Sequence, residues 1–186
     1  MTMSNQRKNG KPKSDALVFL GATGDLAYKK IFPALHAIAR RGKLDFPVVG
    51  VALSGWSREQ LIERAQNSIN EHGGGVDPEA FLRLAAQLRY VDGDYNDLAT
   101  FQRLRATLES AKRPAHYLAI PPSMFATVVA RLSEADCTSD ARVIVFDVEF
   151  KAGIPGRKDF VPETGELRPM DADRALGFAM ARSGKT

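Results

Sequence analysis

The residues that follow the apolar run Ala16–Leu20 carry the strongest chemical signal in the sequence. They read Gly-Ala-Thr-Gly-Asp-Leu-Ala-Tyr-Lys-Lys over 21–30. A short strand that breaks into a glycine turn and then a helix can present bare backbone N–H groups to a phosphate. Gly21 can take a tight turn without steric cost, and Gly24, which has no Cβ, lets a pyrophosphate or a helix come close. Because such turns also serve as plain strand–helix connections, the glycine pair alone is weak evidence for a phosphate site.

The elements that would position this turn alternate between strand and helix. Continuous apolar runs predict strands over 15–20, 47–53, 89–91, 116–120 and 141–146. Helical spacing and capping residues predict helices over 24–40, 57–70, 77–88, 97–108 and 122–133. Alternation of this kind predicts an α/β fold with a doubly wound, mostly parallel sheet, whose ligands bind at the carboxyl ends of the strands.

The charge of the chain is concentrated at its beginning. The 186 residues, a length that suits one domain, carry a formal net charge of +4. Four basic residues and no acidic residue fall within 1–14, so the remaining residues have no net charge. We predict that 1–14 form a disordered basic leader. Because no basic face is visible in the rest of the chain, we expect no binding of nucleic acid.

Other function classes are disfavoured by composition. No apolar run approaches the roughly 20 residues that span a bilayer, so we expect no membrane segment. The single cysteine, Cys137, cannot form an internal disulfide, which fits a reducing cytoplasm. No set of Cys, His, Asp and Glu has the spacing of metal ligands, so we expect no metal site.

Four segments, in the right order, resemble the glucose-6-phosphate dehydrogenases. They are LVFLGATGDLAYKKIFPAL, VVGVALSGWSREQL, LRYVDGDYND and HYLAIPPSMFATVVARL. The resemblance covers about residues 15–145 and implies a Rossmann-like NAD(P)-binding domain over 15–146. The activity that it implies is a step of the oxidative pentose phosphate pathway. In that step glucose 6-phosphate is oxidised to 6-phosphogluconolactone, and NADP or NAD is reduced.

The resemblance also implies roles for individual residues. In that family the first segment binds the coenzyme pyrophosphate, which assigns this role to Gly21, Thr23, Gly24, Asp25 and Leu26. The helical lysine of the same segment lies by the substrate phosphate and matches Lys30. The last segment lies against the nicotinamide, which adds Tyr117, Ala119 and Pro121 to the expected coenzyme contacts. Ser54, after the second strand, is expected on the adenosine side of the coenzyme.

The chain departs from the family after the second strand. The family usually has a basic residue there, which pairs with the 2′-phosphate of NADP, but this chain has Leu53. Loss of that charge should weaken NADP relative to NAD, and Arg58 or Ser54 could compensate in part. The sequence therefore predicts NADP or NAD as the cofactor without deciding between them.

A second departure begins after Val145. The family continues there with Glu-Lys-Pro-Phe-Gly and later supplies a catalytic histidine from a β+α substrate domain, whereas this chain has neither pattern. We expect His36 and His72 on the surface and His116 in a structural role, so no catalytic residue is assigned. Residues 147–186 form an unassigned tail, and the chain by itself is expected to be inactive or nearly so.

Three interpretations follow. The chain is the coenzyme domain of a glucose-6-phosphate dehydrogenase, a non-catalytic nucleotide-binding or regulatory remnant, or a truncated product without function. In the first case its partners are a nicotinamide dinucleotide and, only if a C-terminal domain is supplied, glucose 6-phosphate. An open sheet without the second domain would expose apolar surface, which predicts an oligomer or a partner chain.

Overall fold

Five parallel strands form a single sheet in the computed structural model, which describes residues 13–145. The order across the sheet is β3-β2-β1-β4-β5. All residues of β1, β2 and β4 are buried, as expected for apolar strands with helices on both faces. The strands are β1 (Ala16–Leu20), β2 (Val48–Ala52), β3 (Leu88–Asp92), β4 (Pro114–Leu118) and β5 (Arg142–Val145).

Within residues 13–145, five α-helices connect and cover these strands. A π-helical turn, Ala27–Ile31, leads directly into the first, and a 3₁₀ turn, Pro122–Met124, leads into the last. The helices are α1 (Phe32–Arg40), α2 (Arg58–His72), α3 (Pro78–Gln87), α4 (Leu98–Thr107) and α5 (Phe125–Glu134).

The predicted caps begin three of the helices. The Ser57 hydroxyl accepts the Gln60 N–H, and the Gln60 side chain accepts the Ser57 N–H, which completes a capping box before α2. Asp77 accepts the Ala80 N–H before α3, and Asp97 accepts the Ala99 N–H before α4. Local side-chain chemistry therefore fixes where these helices start.

Two apolar cores lie on opposite faces of the sheet. On one face, Phe19 and Leu17 of β1 pack with residues of α1, α2 and α3. On the other, Val18 and Leu20 pack with residues of α4 and α5. Successive β1 side chains thus point into different cores. The prediction of a doubly wound parallel α/β fold is confirmed.

Two predicted boundaries are wrong by a few residues. The strand predicted at 116–120 occupies Pro114–Leu118, because Pro114 already pairs with Ala16 and the chain leaves the ladder at Ala119. Leu88 was predicted in the third helix but begins β3. Its backbone is extended (φ −73°, ψ 128°), and it pairs with Val48.

The prediction for the histidines is wrong for His36 and right for His116. His36 was expected on the surface, but it is only 2% exposed, because it lies on the α1 face that packs against α3. Its Nε2 accepts the Asp77 N–H at 3.2 Å. His116 is fully buried, with Nε2 2.7 Å from the Cys137 carbonyl oxygen, so its predicted structural role is confirmed. Burial lowers the pKa of His116.

The predicted leader and tail fall almost wholly outside the described residues. Of residues 1–14 only the last two are described: Ser14 is buried, and the Lys13 carbonyl accepts the Arg113 Nε–H at 3.0 Å. Phe146 and the tail 147–186 lie outside the described range.

Candidate functional site

The predicted site lies where the strand order of the sheet reverses, between β1 and β4. The chain passes from β1 to β2 on one side and reaches β4 on the other. At such a switch point the loops at the carboxyl ends of two neighbouring strands separate and leave a crevice, where open α/β sheets bind ligands. The loop 21–26 follows β1, and the loop that contains Ala119 and Pro121 follows β4.

Gly21 lies where the turn after β1 comes closest to the turn after β4. Its φ is +89°, which L-residues rarely adopt, and a Cβ at this position would lie 2.1 Å from the Ala119 carbonyl oxygen. The turn after β1 can therefore approach the turn after β4 only with glycine here. Gly24 has an ordinary φ and is exposed, and a Cβ there would lie 3.2 Å from the Gly21 carbonyl oxygen.

The backbone N–H groups of the loop fall into two groups. Gly21 and Ala22 donate to the Val51 carbonyl oxygen at 3.0 and 3.1 Å, and Gly24 donates to the Gly21 carbonyl oxygen at 2.9 Å. The N–H groups of Thr23, Asp25 and Leu26 donate to no acceptor in residues 13–145. They lie at the amino end of a continuous helical segment over 25–40, which includes the π-helical turn and α1. The helix dipole favours an anion at such an end.

The Tyr95 hydroxyl holds this turn on the neighbouring strand, and we did not anticipate this role. It accepts the Gly21 N–H at 2.7 Å and donates to the Val51 carbonyl oxygen at 2.9 Å. Burial raises the pKa of Tyr95 to about 12, so the hydroxyl stays protonated. The only available signal was its place in the third family-like segment, since 74 residues separate it from Gly21.

Asp92, at the end of β3, organises the loop after β2 and was also not anticipated. Its Oδ1 accepts the Ser54 N–H at 2.9 Å, the Gly55 N–H at 2.8 Å and the Tyr90 hydroxyl at 2.9 Å. The hydrogen bond from the Ser54 backbone is the main cause that lowers the pKa of Asp92. The carboxylate is therefore charged at neutral pH and faces the segment expected beside the adenosine.

The loops after β1 and β2 are joined directly. The Thr23 and Ser54 hydroxyl oxygens lie 2.8 Å apart, within hydrogen-bond distance. Both residues were predicted to contact the coenzyme, and the structure brings them together. Leu53, next to Ser54, is 66% exposed, which makes it one of the most exposed large apolar side chains among the described residues.

Two arginines of α2 bond to backbone carbonyl groups, and only Arg64 does so at this junction. The Arg58 guanidinium donates to the carbonyl oxygens of Leu88 at 2.7 Å and Ala85 at 2.5 Å. Arg64 donates to the Thr23 carbonyl oxygen at 2.8 Å and lies over two aromatic rings, 4.6 Å from the Tyr28 centroid and 5.5 Å from the Trp56 centroid. Arg64, which we did not predict to act here, thus anchors the backbone of the loop after β1.

Lys29 and Lys30 differ in their surroundings, although both are exposed. Lys29 pairs with Asp25 at 3.0 Å, which lowers the pKa of that carboxyl. No carboxylate of the described residues lies within ion-pair distance of Lys30. Both lysines are on the π-helical turn, a local irregularity that often occurs at functional sites.

The three residues expected beside the nicotinamide differ in how far their side chains are exposed. Pro121 is exposed, and Ala119 is half-buried with its N–H bonded to the Leu20 carbonyl oxygen at 2.9 Å. Tyr117 is fully buried in the core under α1, so its side chain supports the loop from within the fold and is not presented at the crevice.

A cavity of about 310 Å³ lies at the opposite edge of the sheet. Its lining includes Asp15, Pro47 and Arg89, at the amino ends of their strands. The Asp15 carboxylate there accepts hydrogen bonds from the backbone N–H groups of Lys112 and Arg113. Ligands of parallel sheets bind at the carboxyl ends, so this cavity does not compete with the crevice as the candidate site.

Two other kinds of site are absent from residues 13–145. No cluster of three or more His, Cys, Asp or Glu side chains there could hold a metal ion. None of the helices in that range combines the length and the apolarity that crossing a bilayer requires.

Comparison with known proteins decides the family. Residues 18–147 match the family described as glucose-6-phosphate dehydrogenase, NAD binding domain. The chain belongs to the glucose-6-phosphate dehydrogenase family. Its similarity to glucose-6-phosphate 1-dehydrogenase 1 of Mycobacterium bovis is 41% identity over 132 residues, which are 71% of this chain and 28% of the relative.

Solved glucose-6-phosphate dehydrogenases share the fold. The crystal structure of the Mycobacterium avium enzyme matches with a TM-score of 0.68 and 40% identity, over 72% of this chain and 29% of that one. A glucose-6-phosphate dehydrogenase in complex with its substrate matches with a TM-score of 0.61 and 26% identity, over 72% of this chain and 30% of that one. The chain thus spans less than a third of the length of these relatives, and the match falls on their NAD-binding domain.

Proposed function

We propose that residues 15–145 bind a nicotinamide dinucleotide, NAD or NADP, through the loop between β1 and α1. The observation that carries this proposal is the set of three backbone N–H groups, on Thr23, Asp25 and Leu26, that have no acceptor in the described residues. They lie at a helix amino end, whose partial positive charge suits a pyrophosphate. Gly24, exposed between them, leaves room for the phosphate oxygens.

The remaining predicted residues surround this anchor. Ser54, bonded to Thr23, lies on the adenosine side, and Ala119 and Pro121 border the nicotinamide side. Lys30 supplies a compact positive charge to the phosphate of the sugar, because it is exposed and no described carboxylate pairs with it. Tyr117 acts from within the core, by holding the loop after β4 in place.

In the whole protein the bound coenzyme accepts a hydride from the anomeric carbon of glucose 6-phosphate. The products are 6-phosphogluconolactone, the reduced coenzyme and a proton, which a base must take from the sugar hydroxyl. None of the histidines of this chain, His36, His72 and His116, lies at the carboxyl ends of the strands. The 186 residues therefore bind coenzyme without catalysing the reaction at a useful rate, and glucose 6-phosphate binds productively only together with a C-terminal domain.

We place this reaction in the cytoplasm. Cys137 is the single cysteine of the sequence, and it is buried without a disulfide partner, as suits a reducing compartment. We also propose that an oligomer or a partner chain covers the rest of the site.

Coenzyme binding and turnover separate this function from that of a non-catalytic remnant. The test follows the appearance of reduced coenzyme with glucose 6-phosphate, for the chain alone and with a separately produced C-terminal domain of the Mycobacterium bovis relative. We expect coenzyme binding in both cases and turnover only in the mixture. Binding with no turnover in the mixture would favour the regulatory remnant, and rapid turnover by the chain alone would contradict the division of labour proposed here.

A further inference from the structure

The end of β2 is the place where a dinucleotide-binding sheet distinguishes its two coenzymes. The residues that follow this strand lie beside the adenosine ribose, and an arginine nearby accommodates the 2′-phosphate that NADP has and NAD lacks. In this chain the segment is Leu53, Ser54 and Gly55. We propose that this site selects NAD over NADP, an inference that rests on the proposed dinucleotide binding.

The first reason is that the segment offers an apolar surface to the ribose. Leu53 is 66% exposed and follows β2 directly, where a charged side chain would be needed to bind a 2′-phosphate. A phosphate monoester carries up to about two negative charges at neutral pH. Placing it against an apolar side chain removes water from it without a compensating charge.

The second reason is that the backbone donors of the segment are already occupied. The N–H groups of Ser54 and Gly55 both donate to Asp92, and the Ser54 hydroxyl is within hydrogen-bond distance of Thr23. A 2′-phosphate would have to displace these bonds and would also meet the negative charge of Asp92. The 2′-hydroxyl of NAD brings no charge and meets no such repulsion.

The third reason is that the nearby arginines are engaged elsewhere. Arg58 donates to two carbonyl oxygens at the junction of α3 and β3. Arg64 donates to the Thr23 carbonyl oxygen and lies over two aromatic rings. Arg103, on the opposite face, donates to the Asp92 carbonyl oxygen at 2.9 Å. Each guanidinium keeps further N–H donors, but these bonds within the fold restrain its movement toward a 2′-phosphate.

Calorimetric titration of the purified 186-residue chain with NAD and, separately, with NADP tests the selectivity. We expect NAD to bind at least about tenfold more tightly, the size of effect that one missing charged hydrogen bond produces. Leu53→Arg should raise NADP affinity by about tenfold and leave NAD nearly unchanged. The matched control is Leu82→Arg, because Leu82 is 69% exposed on α3 and the substitution adds the same charge away from the crevice.

The outcomes are distinct. Equal or tighter binding of NADP by the unmodified chain overturns the selectivity alone, and Arg64→Gln then shows whether Arg64 had supplied the missing charge. An equal rise in NADP affinity for both arginine variants also overturns it, because general charge would explain the gain. If the folded chain binds neither coenzyme, the proposed function itself is overturned, and the selectivity with it.

Discussion

Gly21 shows how a single residue without a side chain determines the geometry of the site. Its positive φ and its contact with the Ala119 carbonyl oxygen bring the turns after β1 and β4 together. Its N–H group is held by both Tyr95 and Val51, so the glycine is not itself a phosphate donor. The anchor that we propose lies further along the loop, at residues whose N–H groups this turn leaves open.

Substitution of Gly21 is therefore expected to damage the fold as well as binding. Gly21→Ala places a Cβ 2.1 Å from a backbone oxygen, which cannot move aside as a flexible side chain could. The positive φ alone costs about 1 kcal/mol and the clash adds to it, so we expect a loss of roughly 3 kcal/mol or more in the free energy of unfolding, measured with urea.

The matched control for this loss is Gly42→Ala. Gly42 also has a positive φ, +65°, but a Cβ there would meet nothing within 4 Å. It should lose only the conformational cost of about 1 kcal/mol. Equal losses for the two variants would mean that contact with Ala119 does not hold the crevice together.

At the scale of elements, the ends of neighbouring strands are joined by polar side chains. Asp92 of β3 holds the loop after β2, and Tyr95 joins the turn after β1 to β2. These bonds give three loops at one edge of the sheet a fixed arrangement. The proposed coenzyme site therefore depends on β3 and the segment after it, although these residues need not touch the ligand.

The contribution of Asp92 should depend on pH. The pKa of its carboxyl is lowered in the folded chain, so its contribution to stability is present above the unfolded pKa of about 4 and is lost as the pH falls through the folded value. Asp92→Asn should therefore lower the free energy of unfolding by about 1 kcal/mol at pH 7. The difference from the unmodified chain should shrink below about pH 4.

Urea unfolding at several pH values measures this difference. Asp45→Asn is the control, because Asp45 is exposed and makes no ion pair or hydrogen bond with other described residues. A gap between the unmodified chain and Asp92→Asn that stays constant from neutral to acid pH would show that the charge of Asp92 does not stabilise the loop.

Local patterns predicted the elements better than they predicted the partners of the loops. The capping residues Ser57, Asp77 and Asp97 act within a few residues of themselves, so their sequence pattern was sufficient. Tyr95 bonds across 74 residues to Gly21, which no periodicity reveals. His36 was misplaced because a polar residue on a helix suggests a surface position, whereas packing of α1 on α3 buries it.

Tertiary pairing also explains the shifted boundaries. Leu88 continues the apolar spacing of α3, but pairing with Val48 draws it into β3. Ala119 and Ile120 have the apolar character of a strand, yet the ladder with β1 ends at Leu118, because the chain after Leu20 turns away at Gly21. In both cases the neighbouring strand decided where the element ended.

At the scale of the molecule, the described residues form an α/β unit with helices on both faces of the sheet. Each face of the sheet has its own apolar core, and the crevice lies between the loops at one edge. The chain spans less than a third of the length of its relatives, and the matched part is their NAD-binding domain. Coenzyme binding is therefore the family property that we propose for this unit by itself.

The measurement that tests this account most directly is calorimetric titration with NAD of the unmodified chain, Gly24→Trp and Lys43→Trp. Gly24 is exposed with an ordinary φ, so tryptophan there should cover the open N–H groups without unfolding the chain. Lys43 is exposed just beyond the far end of α1, so Lys43→Trp controls for an added aromatic ring. We expect saturable binding that Gly24→Trp abolishes and Lys43→Trp preserves. Unchanged binding by a folded Gly24→Trp variant, or no binding by the folded unmodified chain, would contradict it.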